Sequence, residues 1–404
     1  MNILIADTFP KSALEAFGRM DSTVTYDRSL KGDELLRAIE QKQPQVLIVR
    51  STKVSADMIE ATPDLGLIIR AGAGYNTIDV KTASERGVYV ANCPGKNAIA
   101  VAELAMGLIM SIDRRIPDNV MDLRKGQWNK QEYASAEGIY GKTLGVIGTG
   151  RIGQALILRA RAFGMHVVAW SRSLTPDKAD ALGVDYCATP LDVAGNADFV
   201  SLHLALTDET RNMVDKPFFE AMKEGTALIN TSRAQVVNEV ALLDALNTRG
   251  IKAGLDVFGA EPGVKVGEFL NDIASHPSVY GTHHIGASTN QAQQAVADET
   301  VSIVQRFVNS GAVKNCVNLI ERTPARYVVS VRHRNRVGVL ADVLRVIRDD
   351  DNNVEAMENI IFAGAQGACA NIQIDNQLSQ KALVKLQAIS EDVFDVNLSQ
   401  IEDN

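Results

Sequence analysis

Short β-branched apolar runs alternate with helix-length segments from the first residues onward. Residues 3–7 (ILIAD), 45–51 (QVLIVRS), 65–72 (LGLIIRAG) and 88–93 (VYVANC) read as strands, and 32–41 as a helix between the first two. This rhythm predicts a parallel sheet with helices on both faces. Residues 97–112 (NAIAVAELAMGLIMSI) are apolar almost all round a helical wheel. The pattern predicts a helix with no solvent face, set between domains or subunits. The polar stretch 114–133 behind it, with an isolated Trp128, reads as an arm or loop. Six further strands at 143–148, 166–171, 198–204, 226–232, 252–258 and 279–286 have the size of a doubly wound dinucleotide fold, and 289–311 reads as a helix. After 318–326 the rhythm changes to βαββαβ, a small ferredoxin-like module.

The predicted class is α/β, with two doubly wound parallel-sheet domains and a ferredoxin-like appendage. Residues 1–96 and 289–317 make the first domain, 97–288 an inserted Rossmann-type domain, 318–326 a linker and 327–404 the last domain. A chain of 404 residues is too long for one core. Its net charge of −8, with only short Lys/Arg clusters at 114–115 and 332–336, leaves no electrostatic footprint for nucleic acid. Cys93, Cys187, Cys316 and Cys369 are far apart and form no CxxC pair, which argues against a metal site or disulfide framework. The opening MNILIADTFP reads as a strand rather than a secretory leader, and no segment approaches the roughly 20 apolar residues of a membrane span. The expectation is a soluble, cytoplasmic protein with reduced thiols, acting on a small molecule, with no metal, membrane or nucleic-acid partner.

Gly148-Thr149-Gly150-Arg151-Ile152-Gly153 follows a strand and opens an amphipathic helix, the context in which GxGxxG binds a dinucleotide. Gly148 permits the tight turn, Gly150 the approach of a pyrophosphate and Gly153 close helix–strand packing, while the helix start supplies N–H groups. An acid for the adenosine ribose is expected about 20 residues on. The chain has Ser171 and Arg172 there. Two readings stand: Arg172 pairs with a 2′-phosphate and the cofactor is NADP, or Arg172 is a surface arginine and NAD binds through its other contacts.

Residues 225–246 (GTALINTSRAQVVNEVALLDAL), 253–262 (AGLDVFGAEP) and 282–289 (THHIGAST) resemble the signatures of the D-isomer-specific 2-hydroxyacid dehydrogenases. With 49–59, 70–79 and the C-terminal module, the resemblance is to the phosphoglycerate-oxidising branch that carries an ACT domain. It places the catalytic arginine at Arg233, its acidic partner at Glu261 and the catalytic histidine at His284. Arg233 would clamp a carboxylate, His284 move a proton at the carbonyl oxygen, and Glu261 orient His284 and favour its protonated form. The resemblance adds His203, Thr207, Thr231, Ser232 and Asp256 to the cofactor side, where Arg233 and His284 also lie. It puts Arg50, Lys53 and Arg70 at a substrate phosphate and Ala73, Gly74 and Asn76 at the substrate carboxylate. Where the family shows His-x-Pro, this chain has Leu204-Ala205 after His203.

RHRNRVGVLADVL (332–344) resembles the entrance of an ACT domain, with Val337 where proline is common. By the same resemblance, His333, Asn335 and Asn353 would bind an amino acid, L-serine, across a dimer interface, the alternative being a purely structural pairing. The implied reaction is reversible hydride transfer between 3-phosphoglycerate and NAD, giving 3-phosphohydroxypyruvate for serine biosynthesis. The alternatives are an NAD(P)-dependent glyoxylate or hydroxypyruvate reductase and, from another class, a non-enzymatic dinucleotide-sensing corepressor-like protein. A homodimer or homotetramer is expected.

Overall fold

The computed structural model describes residues 1–262 and 266–401. Two compact units divide the chain, Met1–Asn318 and Leu319–Asn404. The first begins with a parallel sheet of β1 (Asn2–Ile5), β2 (Thr23–Tyr26), β3 (Val46–Val49), β4 (Leu67–Arg70) and β5 (Tyr89–Asn92), ordered β2-β1-β3-β4-β5. Strand β3 is buried at every position, as a strand covered on both faces must be. Strand β2 has no fully buried residue, so its sequence lacked the apolar run that marks the others.

The chain then crosses to a seven-stranded parallel sheet. Its strands are β6 (Thr143–Ile147), β7 (His166–Trp170), β8 (Asp185–Tyr186), β9 (Phe199–Leu202), β10 (Ala227–Asn230), β11 (Lys252–Leu255) and β12 (Val279–Gly281), in the order β12-β11-β10-β9-β6-β7-β8. Strand order reverses between β6 and β9, the switch point where open α/β sheets receive ligands at the carboxyl ends of their strands. Separate apolar clusters cover the two faces of this sheet. Helix Asn290–Ser310 returns to the first sheet, where Ala297, Ile303 and Val304 join its core.

The apolar helix is buried over most of its length, and the arm behind it departs from expectation. Helix Ala98–Arg114 buries Ala102, Ala105, Met106, Leu108, Ile109 and Ile112 in the core of the seven-stranded sheet. Within one copy of the chain it leaves Ile99, Glu103 and Gly107, spaced by four residues, uncovered, with Glu103 paired to Arg159 at 3.0 Å. The supposed arm contains a helix, Ile116–Arg124, started by Pro117 in its first turn and burying none of its residues.

The second unit is an antiparallel sheet of β13 (Tyr327–Arg334), β14 (Val354–Ile361), β15 (Gly367–Ile374) and β16 (Val393–Gln400), in the order β14-β15-β13-β16. Helices Val339–Asp349 and Gln380–Gln387 pack on one face through Val343, Val346, Ile347, Ala382 and Leu386. Part of the stretch read as a linker is built into this unit: the Arg326 N–H bonds the Ile374 carbonyl at 3.0 Å and Thr323 bonds Gln373 at 2.8 Å.

Candidate active site

The glycine loop leaves β6 through Gly148, at φ +97°. A Cβ there would collide with the His203 carbonyl, and one at Gly153 with the carbonyl of Gly148, so both positions demand glycine. Gly150 has no atom within 4 Å of where its Cβ would lie, and no side chain caps the helix Arg151–Ala162 that it precedes. An open backbone at an uncapped helix start suits a pyrophosphate. Ile152 is half-buried beside it, and Arg151 reaches away to donate to the Pro94 carbonyl at 2.6 Å. At the end of β7, Ser171 Oγ and Thr149 Oγ1 share a 2.8 Å hydrogen bond, and Arg172 is exposed with no ion-pair partner among the described residues.

Strand β9 delivers His203, whose Nε2 lies 3.0 Å from Ser201 Oγ while Nδ1 is buried without a partner. Burial pushes its pKa down to about 4, so the ring is neutral near pH 7. Thr207 is exposed in a turn and bonded to Glu209 and Thr210. After β10, Thr231 is buried with an unpartnered hydroxyl, and Ser232 donates both N–H and Oγ–H to Asn230 Oδ1. Asn230 also donates to the Arg233 carbonyl at 2.9 Å, so this one side chain fixes the turn that presents Arg233.

Glu261 and His284 meet as the motifs implied. His284 Nδ1 lies 2.7 Å from Glu261 Oε2, and Glu261 Oε1 accepts the Phe258 N–H at 2.9 Å. Holding the ring through Nδ1 leaves Nε2 to face the cleft. His284 sits at φ +53°, a backbone conformation that side chains rarely adopt. Asp256 holds it there: Oδ1 accepts from Thr282 Oγ1 (2.6 Å) and Ile285 N (2.8 Å), and Oδ2 from Gly286 N (2.8 Å). The resemblance gives Asp256 a supporting role on the cofactor side. Both of its oxygens are committed to this loop, with the residue 1% exposed.

His284 and Arg70 line both halves of the cleft, cavities of about 170 and 370 Å³. The smaller half adds Arg50 and Ala73, the larger Gly74, Asn76, Arg233 and Glu261. None of Arg50, Arg70 and Arg233 has a carboxylate partner among the described residues. Arg70 Nε is buried without any partner, and burial, then the charges of Arg233 and Arg50, lower its pKa to about 10. A Cβ at Gly72 would collide with the Arg70 guanidinium, which explains glycine there. Lys53 is exposed and lines neither half, and its charge is felt at Asp79. Sequence reasoning missed Asp7, at the end of β1. Its carboxylate accepts the N–H groups of Arg50, Ser51 and Thr52 at 2.7, 3.0 and 3.0 Å and so shapes the loop that carries Arg50.

The family model described as "D-isomer specific 2-hydroxyacid dehydrogenase, NAD binding domain" matches residues 106–286. A hydroxypyruvate reductase of Thermotoga maritima is 40% identical over 301 residues, covering 74% of this chain and 95% of that protein. The chain belongs to the D-isomer-specific 2-hydroxyacid dehydrogenase family. NAD(H) is the cofactor of this family fold, and the open glycine loop fits it. A D-3-phosphoglycerate dehydrogenase of Methanocaldococcus jannaschii is 36% identical over 79% of this chain. The chain spans 60% of that protein's length, and 51% of the namesake in Bacillus subtilis. A solved glyoxylate reductase from Paecilomyes thermophila superposes with a TM-score of 0.69 at 26% identity, covering 78% of this chain and 98% of that one.

The residues singled out in the second unit lie apart. His333 is 1% exposed on β13, with Nδ1 2.8 Å from the Arg334 carbonyl and Nε2 3.3 Å from Asn359 Oδ1. Asn335 donates to the Ala365 carbonyl at 3.1 Å. Asn353 donates to Glu355 and precedes the other end of the sheet, since Val354 pairs with Ile374 while His333 pairs with Ala368. Six residues along β15 separate the two places, about 20 Å at ~3.3 Å per residue. One copy of the chain does not close a site from the three. Among the described residues no cluster suits a metal, and no helix is long and apolar enough to cross a membrane.

Proposed function

We propose that this enzyme interconverts D-3-phosphoglycerate and 3-phosphohydroxypyruvate with NAD, a step toward serine. The observation that carries this reading is the trio of Arg50, Arg70 and Arg233 lining one cleft with no ion-pair partner among the described residues, the cleft's acid Glu261 being taken up by His284 and the Phe258 N–H. Three cations that raise one another's energy call for a ligand with two anionic groups, and a substrate with both carboxylate and phosphate supplies them. The Arg233 fork and the backbone at Ala73–Gly74 receive the carboxylate, and Arg50 with Arg70 the phosphate. His284 Nε2 takes the hydroxyl proton during oxidation and returns it to the carbonyl oxygen during reduction, while Glu261 keeps the ring in register. A dinucleotide held by the Gly148–Gly153 loop would supply or take up the hydride at the same carbon. Ala73, Gly74, Asn76, Thr231 and Ser232 position the reactants and react with neither.

A glyoxylate or hydroxypyruvate reductase is the second reading. Lys53 outside the cleft and the Thr149–Ser171 pair beside Arg172, where an acid would repel a 2′-phosphate, favour it. The intact Arg233, Glu261 and His284 set speaks against a sensor without turnover. The second unit has the βαββαβ order of an ACT domain, and a serine site between two copies would join His333 and Asn335 of one to Asn353 of the other. A homodimer or homotetramer follows from that arrangement. Steady-state rates with 3-phosphohydroxypyruvate, hydroxypyruvate and glyoxylate, each with NADH and NADPH, decide between the readings. A kcat/KM for the phosphorylated acid at least about 100-fold above the others supports the first, since a phosphate held by two arginines is worth several kcal/mol. Faster reduction of glyoxylate selects the second.

A further inference from the structure

Arg151 occupies the first turn of the helix that follows the glycine loop. A cation is electrostatically misplaced at a helix start, where the backbone already carries positive potential. Its guanidinium crosses from the seven-stranded domain to the connection 93–97, which links β5 to helix Ala98–Arg114, and donates to the Pro94 carbonyl at 2.6 Å. The connection is shaped to receive it. Gly95 is at φ +75°, and a Cβ there would collide with the Arg151 side chain. One residue on, Lys96 pairs at 3.0 Å with buried Glu299, on helix Asn290–Ser310 of the first domain. The short connection between the domains is thus pinned from both sides, by Lys96 to one domain and by Arg151 to the other.

The two pins differ in chemistry. Lys96 meets a carboxylate that also takes Lys314 and Asn315, and so has its full complement of partners. Arg151 meets one neutral carbonyl while standing beside the uncapped helix start that suits a pyrophosphate. A guanidinium prefers a diphosphate to one peptide oxygen, because the phosphate carries the opposite charge and takes two parallel N–H bonds from the fork where the carbonyl takes one. We propose that Arg151 is a positioning residue that couples dinucleotide binding to the connection 93–97: it holds Pro94 in the free protein and lets go when a diphosphate claims it. This rests on the glycine loop being the dinucleotide site.

Amide exchange over residues 93–98 of the full-length protein tests this, because Cys93 and Ala98 N–H are bonded there to the Gly72 and Gly95 carbonyls. ADP-ribose serves as the probe, with its binding measured separately by calorimetry. In the unmodified protein, saturating ADP-ribose should speed exchange of this segment by about tenfold, the worth of one lost hydrogen bond. Arg151→Gln should show the faster rate without ligand and no further change with it. Gly95→Ala, which displaces the guanidinium but keeps its charge, should behave likewise while retaining more of the ADP-ribose affinity than Arg151→Gln. Exchange that is unchanged or slowed by bound ADP-ribose, or equal in Arg151→Gln and the unmodified protein, overturns the coupling. Failure of ADP-ribose to bind at all would overturn the dinucleotide reading and the coupling with it.

Discussion

The cleft of the first unit and the polar residues of the second treat their functional groups in opposite ways. In the cleft, Arg50, Arg70 and Arg233 have no ion-pair partner among the described residues, and Arg70 Nε has no partner at all. In the second unit, His333, Asn335 and Asn353 are each already bonded within their own copy, at opposite ends of a sheet. Folding alone does not repay buried charge without partners, so the cleft is built for something outside the chain. Groups that satisfy one another need no ligand to be stable. A ligand at the second unit must take partners away or draw on another copy.

The comparison can be broken at several points. The largest effect belongs to His284→Ala: kcat should fall by about 100- to 10,000-fold, the range for a lost general acid–base, with dinucleotide affinity by calorimetry nearly unchanged. A variant that keeps its rate would remove His284 from the proton step. Arg70→Met comes next, and it separates function from stability. Its kcat/KM for a phosphorylated substrate should drop by about 100-fold or more, while the melting temperature rises. The sign follows from the lowered pKa of about 10: the charged form is disfavoured in the folded state, and removing it relieves a cost on the order of 3 kcal/mol near neutral pH.

Glu299→Gln should act in the reverse sense. Burial raises the Glu299 pKa, but hydrogen bonds from Lys314, Lys96 and Asn315 outweigh it and bring the pKa down to about 2. The folded value lies below the unfolded one, so this stabilisation is present above about pH 4.5 and is lost as pH falls toward 2. Urea unfolding at pH 7 should show a loss of about 2–3 kcal/mol in the variant, and the gap from the unmodified protein should narrow below about pH 4.5 and close only as pH falls through about 2. The smallest effect should come from Asn335→Ala, an exposed residue with one local bond. Stability should change by about 0.5 kcal/mol, and any effect of serine on rate or melting temperature should disappear.

Much of this architecture was legible in the chain, and the exceptions have physical causes. Strands buried on both faces announced themselves as apolar runs, and the glycine loop as contiguous residues. Strand β2 and two-residue β8 are edge strands with little burial, so they left no pattern to read. The helix Ile116–Arg124 buries nothing and therefore lacks apolar periodicity. Arg233, Glu261 and His284 were visible through motifs, whereas the groups that hold them were not. Asn230 and Asp256 act through hydrogen bonds to backbone that only the folded turn brings near. An acid closing the first strand was the available clue to Asp7, yet its three N–H partners lie more than 40 residues away. Lys53 sits three residues from Arg50, and only the loop geometry shows that the two side chains part.

The central claim is that the unpaired arginines of the cleft select a doubly anionic acid. It is tested most directly by the ratio of kcat/KM for 3-phosphohydroxypyruvate to that for hydroxypyruvate, measured in the unmodified enzyme and in Arg70→Met. The account predicts a ratio of about 100 or more that collapses toward unity in the variant, because the phosphate then loses its buried partner. A ratio near unity in the unmodified enzyme, or one that Arg70→Met leaves intact, would contradict it.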